Sequence, residues 1–99
     1  MEIQQGAVLK VEKIKDPVFV ASKNFFNQSG EIIGCPILGE STESPLHIYV
    51  EMDENKGYIQ CEQMKMLDLG VRGYKIIDRV KMADVINVTD AIQSIFDYI

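Results

Sequence analysis

Short apolar runs separated by polar stretches recur along the chain up to residue 80, and this spacing predicts β-strands. In LHIYVE, the apolar residues Leu46, Ile48 and Val50 alternate with more polar ones, which is typical of a strand with one buried face. The predicted strands are AVLKVEKI (7–14), VFVAS (18–22), EIIGCPIL (31–38), LHIYVE (46–51), GYIQCEQM (57–64) and YKIIDRV (74–80). A proline inside the third run, Pro36, indicates an edge strand or a bulge.

The segments between these runs have the composition of loops and turns. KNFFNQSG (23–30) has room for one helical turn at Asn24–Asn27, GESTESP (39–45) is a loop, and DENKG (53–57) has the composition of a hairpin. MLDLGVRG (66–73) is predicted to be a break with a single turn, across which Asp68 pairs with Arg72.

After residue 80 the apolar period changes from that of a strand to that of a helix. Apolar side chains recur three or four residues apart from Met82 to Ile99, which predicts one amphipathic helix running nearly to the end of the chain. Such a helix must cover its apolar stripe on the sheet. We therefore predict a mainly β fold with α, a small, mainly antiparallel β-barrel with a C-terminal helix. A chain of 99 residues is expected to form one domain, 1–99.

The composition of the chain indicates where in the cell the protein acts and whether it binds a metal or a cofactor. No apolar run approaches the roughly 20 residues that cross a bilayer, and the N-terminus lacks the pattern of a signal peptide, so a cytoplasmic protein without membrane contact is expected. Cys35 and Cys61 lie in apolar runs and are predicted to be small buried thiols. With a single histidine and no clustered Cys/His spacing, neither a metal site nor a cofactor is expected.

The net charge of −5 argues against long-range attraction to nucleic acid, so any such contact must rest on local basic residues. No phosphate-binding loop, HExxH or GxSxG motif is present. His47 is predicted to be a half-exposed strand residue rather than a general base. The Phe25–Phe26 pair could stack on bases, but a role as core anchors is favoured.

Several stretches, in order along nearly the whole chain, resemble the PemK/MazF family of bacterial growth inhibitors, which are encoded with an antitoxin. The family's Gly-Asp-Val, Arg-Pro-Val, aromatic-Asn, Pro-Ile-Thr and Gln-Val-Lys-Thr-Leu-Asp elements correspond here to GAV (6–8), DPV (16–18), NFFN (24–27), PIL (36–38) and QMKMLD (63–68). An Arg-Gly pair at 72–73 and the terminal helix also fit. The resemblance implies an SH3-like β-barrel, a homodimer and a cognate antitoxin.

In this family the rim between the second and third strands borders a site that cleaves RNA without metal through the substrate 2′-hydroxyl. The resemblance assigns the chemistry to the arginine of Arg-Pro-Val and the threonine of Pro-Ile-Thr. Those catalytic positions are Asp16 and Leu38 in this chain. An aspartate would repel the scissile phosphate, which an arginine would hold with a bidentate grip. Leucine offers no proton.

Three hypotheses remain open at this point. In the first, the RNA-cutting site has moved, with Lys15 or Lys13 supplying the cation and Ser41 or Thr42 the hydroxyl. In the second, the chain inhibits DNA gyrase in the manner of the CcdB branch, through its C-terminal end with Tyr98 and Ile99. In the third, it is a binding module that keeps only the dimer and antitoxin surfaces. The residues predicted to contact nucleic acid are Ser22, Asn24, Asn27, Lys65 and Arg72.

Overall fold

The structure is a computed structural model in which residues 3–96 are described. Within that range the chain forms seven strands and two helices. They are β1 (Ala7–Val11), β2 (Val18–Val20), α1 (Asn24–Asn27), β3 (Glu31–Leu38), β4 (His47–Glu51), β5 (Lys56–Gln60), β6 (Lys65–Asp68), β7 (Tyr74–Arg79) and α2 (Met82–Phe96). No helix in this part of the chain is long and apolar enough to cross a membrane.

The strands form one curved antiparallel sheet in the order β4-β5-β3-β2-β1-β7, and β6 pairs with β3 beside this path. This half-barrel with a C-terminal helix confirms the predicted fold class. β3 is the hub, because residues 31–34 pair with β6 and residues 37–38 pair with β5. Pro36 lies where β3 changes from one partner to the other. The missing N–H of proline is tolerated there, although β3 is not an edge strand.

Both faces of the sheet are buried, which explains why the run VFV is apolar at every position. Phe19 packs into one cluster of buried side chains, together with Val85 and Val88 of α2. Its neighbours Val18 and Val20 point to the opposite face and join a second cluster. The helix therefore covers one face, as its apolar stripe predicted, and the curl of the sheet encloses the other.

A carboxylate fastens the two ends of the curved sheet to each other. Asp78 of β7 accepts hydrogen bonds from the backbone N–H groups of Asp53 and Glu54, at 3.2 and 2.9 Å, and from the Asn55 side chain at 2.7 Å. Burial opposes the ionisation of Asp78, but these hydrogen bonds outweigh it and lower the pKa of the carboxyl group. The β4–β5 hairpin is thereby held against β7.

The prediction for residues 66–73 was wrong, because the segment begins with strand β6 rather than a break. β6 is short and only Leu67 is buried within it, so its own alternation is weak. The pairing of Asp68 with Arg72 was also wrong, since Asp68 accepts the N–H of Gly70 at 2.8 Å instead. The prediction that the Phe25–Phe26 pair anchors the core was wrong for Phe25, whose side chain is 74% exposed.

The two cysteines behave as predicted. Cys35 and Cys61 are free and fully buried. Burial is the main cause that raises the pKa of the Cys35 thiol to about 12 and that of the Cys61 thiol to about 11. Both are therefore protonated, unreactive core residues at neutral pH.

Candidate functional site

A small cavity of about 250 Å³ lies where the β1–β2 connection meets β3 and β6, and we call it the β2 pocket. The chemical groups on its wall are the side chains of Lys15, Asp16, Gln63 and Lys65. Asp16 is half-buried, whereas both lysines are exposed. The pocket therefore presents a carboxylate in its wall and two mobile cations at its rim.

The β1–β2 connection that carries Lys15 and Asp16 is short and locally tied. The Lys10 ammonium donates to the carbonyl oxygens of Ile14 and Lys15, at 3.1 and 2.9 Å. Lys13 has a φ of 66°, a left-handed conformation that residues other than glycine seldom adopt. These contacts fix the backbone immediately before Asp16.

The pairing of β2 with β3 brings the two family catalytic positions together. Val18 pairs with Pro36, and the N–H of Ile37 donates to the carbonyl of Pro17 at 2.9 Å. Continued two residues past the Val18–Pro36 pair, beyond the end of β2, the same register would set position 16 opposite position 38. These are the two positions that the resemblance marks as catalytic, and this chain has a carboxylate at one and an aliphatic side chain at the other.

Close backbone packing forms the floor of the β2 pocket. Gly34 lies in the pocket wall opposite Val20 of β2. A Cβ atom at position 34 would collide with the Val18 side chain and come within 3.2 Å of the Phe19 carbonyl oxygen. A glycine is therefore required for β2 and β3 to approach this closely.

Ser41 and Thr42, the predicted substitutes for the family hydroxyl, are not among the residues that line the β2 pocket. Ser41 Oγ donates to Gln60 Oε1 at 3.1 Å and lies 2.9 Å from His47 Nδ1. The Thr42 carbonyl oxygen lies 2.7 Å from the same ring nitrogen. Both residues thus belong to a network between the 39–46 loop and β5.

The charge state of His47 decides what this network can do. Its Nδ1 faces the Thr42 carbonyl, and its Nε2 lies 2.9 Å from the Glu62 carboxylate. Because a carbonyl oxygen only accepts, Nδ1 carries a proton and donates it to Thr42. The bond to the Thr42 carbonyl, and then that to Glu62, raise the pKa of His47. A protonated Nδ1 cannot take the Ser41 proton, so the network is a structural clip and not an activated nucleophile.

The predicted nucleic-acid contacts fall into two groups. Asn27 is fully buried. Its side-chain NH2 group donates to the carbonyl oxygens of Ile3 and Ser22, and its side-chain oxygen accepts from the Ser22 hydroxyl, so it has no free atom for a ligand. Ser22 is half-buried and also accepts the N–H of Ile33 at 2.9 Å. Both residues are therefore structural.

The other predicted contacts are exposed. Asn24 accepts the N–H of Gln5 at 3.0 Å, and Lys65 reaches the β2 pocket. Arg72 lies in the β6–β7 connection and does not line that pocket. The structure thus brings Lys15, Asp16 and Lys65 together and leaves Arg72 apart.

The sequence did not reveal a larger surface beside the pocket. A groove of about 840 Å³ runs between α2 and β6, with one end at Ser22 and Lys23, and we call it the α2 groove. Its apolar walls include Met64, Met66, Ile86, Ile92 and Phe96. Lys65 lies between the two cavities and lines both. A surplus of apolar residues on the outer side of α2 is the one signal that could have indicated it.

Two further features bear on the predictions. Within residues 3–96, no group of three or more His, Cys, Asp or Glu side chains is placed to hold a metal ion. Tyr98 and Ile99, on which the gyrase hypothesis rests, lie outside the described residues.

Comparison with known proteins gives a family and a fold. The family model for a PemK-like, MazF-like toxin of type II toxin-antitoxin systems matches residues 7–96. A MazE–MazF structure from Deinococcus radiodurans is 15% identical, with 95% of each chain covered and a TM-score of 0.86. An endoribonuclease in complex with its cognate antitoxin, from Mycobacterial species, is 14% identical over 95% of this chain and 94% of that one, with a TM-score of 0.82. At such identities the likeness shows the fold alone. No curated protein matches the chain.

Proposed function

The chain belongs to the PemK-like, MazF-like toxins of type II toxin–antitoxin systems, and we propose that it acts as such a component without the family's route of RNA cleavage. It works as one domain, 1–99, in the cytoplasm, as a homodimer and as the partner of a cognate antitoxin. The relatives solved as toxin–antitoxin complexes support the partner. Metal-independent cleavage through the RNA 2′-hydroxyl is lost.

One observation carries the proposal: the wall of the β2 pocket holds the half-buried side chain of Asp16, at the position that the resemblance assigns to the family's arginine, and Leu38 of β3 stands at the position it assigns to the threonine. A unit charge of the wrong sign about 4–5 Å from a phosphate costs on the order of 3–4 kcal/mol at an effective dielectric constant of about 20. That cost corresponds to at least about a hundredfold in rate. The lost guanidinium donors and the lost hydroxyl add to it.

The lysines at the rim do not replace the missing arginine. Lys15 and Lys65 are exposed ammonium groups on flexible stems, whereas a guanidinium presents a planar, preorganised fork to a phosphate. If RNA binds this chain, we assign its contacts to the exposed residues Asn24, Lys65 and Arg72.

The test is a cleavage assay on an unstructured RNA with a chelator present, alongside a binding assay with the antitoxin encoded next to this chain. We expect a stable complex with the antitoxin and no cleavage above the buffer control. Cleavage that disappears in Lys15→Ala, or in a Ser41→Ala/Thr42→Ala variant, would instead establish a rebuilt nuclease site and contradict the proposal. Cleavage that survives all three substitutions would also contradict it.

A second test looks for cleaved DNA that gyrase traps in bacteria expressing the chain. If such DNA accumulates, and no longer does so when Tyr98 and Ile99 are deleted, the gyrase hypothesis is supported over the one proposed. We expect no such trapping.

A further inference from the structure

The two cysteines of the chain lie next to each other in the core. β3 and β5 pair at Ile37 and Ile59. Continued two residues, just beyond the end of β5, this register would set position 35 opposite position 61. Two observations agree with that placement: Cys35 Sγ lies 4.0 Å from the Cys61 carbonyl oxygen, and both side chains belong to the same buried cluster. Cys35 and Cys61 are therefore neighbours across the sheet, on one face of it.

The backbone hydrogen bonds show which kind of cross-strand pair this is. The N–H of Cys61 donates to the carbonyl of Leu46 at 2.9 Å, so the backbone groups of Cys61 point away from β3. Ile37, two residues along β3 from Cys35, donates its N–H to the carbonyl of Pro17, so the backbone groups of Cys35 also point to β2. In such a non-hydrogen-bonded pair the Cα atoms are about 4.5 Å apart. That separation is within the range of about 4.4–6.8 Å that a disulfide spans.

The two thiols differ in how readily the fold can expose them. Both are protonated and shielded while the core is closed. Cys35 lies inside β3, which is paired with strands on both sides. Cys61 follows the end of β5, in the connection to β6, where the next backbone bond is a turn from the Gln63 N–H to the Gln60 carbonyl. Because connections open locally more easily than central strands, Cys61 is the thiol that meets solvent first.

We propose that Cys35 and Cys61 form a redox-sensitive pair, which a small-molecule disulfide converts into a disulfide bond between β3 and the end of β5. The Cys61 thiolate attacks one sulfur of the small disulfide, breaks its S–S bond, forms a mixed disulfide and releases one small thiolate. The Cys35 thiolate then attacks the Cys61 sulfur, forms the protein disulfide and releases the second small thiolate. The two cysteines lose two electrons and two protons in total, and the small disulfide gains them as two thiols.

This bond would change the stability of the chain without adding a surface contact. It closes a loop that contains β4, β5 and the 39–46 loop, and so restricts the unfolded chain. It also ties down the segment that leads from Cys61 to Gln63 and Lys65 of the β2 pocket. In a reducing compartment such a bond is transient and redox-sensing rather than a permanent scaffold. The inference does not depend on the proposed function, because it needs only the contacts within the core.

The test is equilibration of the full chain in a buffer of oxidised and reduced glutathione. It starts both from the folded, reduced chain and from the chain unfolded in urea, so that burial cannot block the reaction. Free thiols are then alkylated, and the mass of the intact chain is measured. In excess oxidised glutathione we expect a chain that lacks two hydrogen atoms, carries no alkyl group and no glutathione, and returns to the reduced form with dithiothreitol. Its Tm should be higher by about 8 °C or more.

Cys35→Ala and Cys61→Ala are the matched controls, because each leaves one thiol in an apolar site of similar size. Neither variant should gain Tm in the oxidised buffer. When the folded variants are exposed to oxidised glutathione, the mixed disulfide should form at Cys61 at least about tenfold faster than at Cys35. A faster reaction at Cys35 would overturn the assigned order of attack.

The unmodified chain alone also decides the main point. If both thiols stay free after refolding in excess oxidised glutathione, or if the products are glutathione adducts or crosslinks between chains, the two sulfur atoms cannot meet and the inference is overturned. A chain that forms the internal disulfide but has a Tm at or below that of the reduced chain would overturn it as well, because the folded core would then not hold the bond.

Discussion

The β2 pocket and the α2 groove lie side by side and share Lys65, but they differ in what their side chains offer. The pocket is small and carries Asp16 at the position that the resemblance assigns to the family's arginine. The groove is larger, apolar and bordered by lysines. Catalysis depends on the charge of one or two atoms, and a single substitution can remove it, whereas binding spreads over many contacts and tolerates change. A toxin domain can thus lose its reaction and keep its partner.

The largest effect on stability is expected at Asn27, the buried residue of α1. Asn27→Ala removes three hydrogen bonds in a fully buried position and leaves the carbonyl of Ile3 and both Ser22 groups without their partner. We expect the free energy of unfolding to fall by about 3 kcal/mol. Urea denaturation measures it, and exposed Gln28→Ala is the matched control, with a change within about 0.5 kcal/mol. Equal effects of the two substitutions would contradict the structural role of Asn27.

A smaller loss is expected at the floor of the β2 pocket. Gly34→Ala pushes a methyl group against Val18, so strands β2 and β3 must move apart. Overpacking of this kind costs about 1–3 kcal/mol in the free energy of unfolding. Gly39→Ala is the control, since no atom lies within 4 Å of the added Cβ. A Gly34→Ala variant as stable as the control would show that the pocket floor is not closely packed.

The His47 clip predicts that the stability of the folded chain depends on pH. The raised pKa of His47 means that its contribution to stability is complete below about pH 6.5, the unperturbed value, and is lost as pH rises through the folded pKa. Glu62, whose pKa is lowered chiefly by the hydrogen bond from His47, contributes above about pH 4.3, its unperturbed value, and its contribution is lost as pH falls through the folded pKa. The free energy of unfolding, measured at several pH values, should therefore include the largest contribution from the clip between about pH 4.3 and about pH 6.5.

Nuclear magnetic resonance can follow this clip directly, because the chain has a single histidine. Glu62→Gln should lower the pKa of His47 only part of the way, since the larger contribution, from the Thr42 carbonyl, remains. Glu51→Gln changes an exposed residue of β4, the strand that also holds His47, and is the control. It should leave the pKa of His47 unchanged. A His47 pKa at or below about 6.5 in the unmodified chain would contradict the raised pKa that these two contacts predict.

The smallest expected effect concerns the residue that the two cavities share. Lys65→Ala should change the free energy of unfolding by no more than about 0.5 kcal/mol, because the side chain is exposed. It should weaken the binding of single-stranded RNA about three- to tenfold, as expected for one lost phosphate contact. Lys75→Ala, an exposed lysine of β7, is the control for both measurements. Equal RNA binding by the two variants would remove Lys65 from the proposed RNA contacts.

Local patterns predicted the fold well where they were long. The strand Glu31–Leu38 and the single turn Asn24–Asn27 have the predicted bounds, and α2 follows its apolar stripe. β6 was missed because Leu67 is its one buried residue and glycines follow it closely. Its strand conformation comes from pairing with β3, a contact between residues some 35 positions apart that no local pattern reports.

The site was harder to predict from the sequence, because it too depends on contacts between residues far apart along the chain. The resemblance located Asp16 and Leu38, but the meeting of Asp16 with Gln63 and Lys65 depends on the β3–β6 ladder. Asn27 was predicted to bind nucleic acid, and its burial follows from a contact with the N-terminal segment at Ile3. Polarity alone does not distinguish a buried, satisfied amide from an exposed ligand.

The central claim is that the charge at position 16 and the missing hydroxyl at position 38 silence RNA cleavage. The most direct measurement is the rate of metal-free cleavage by an Asp16→Arg/Leu38→Thr variant relative to the unmodified chain, with Asp16→Asn as the control that removes the charge without adding donors. The account predicts an increase of at least about a hundredfold for the double variant and a smaller one for the control. An unmodified chain that already cleaves as fast as the double variant would contradict it.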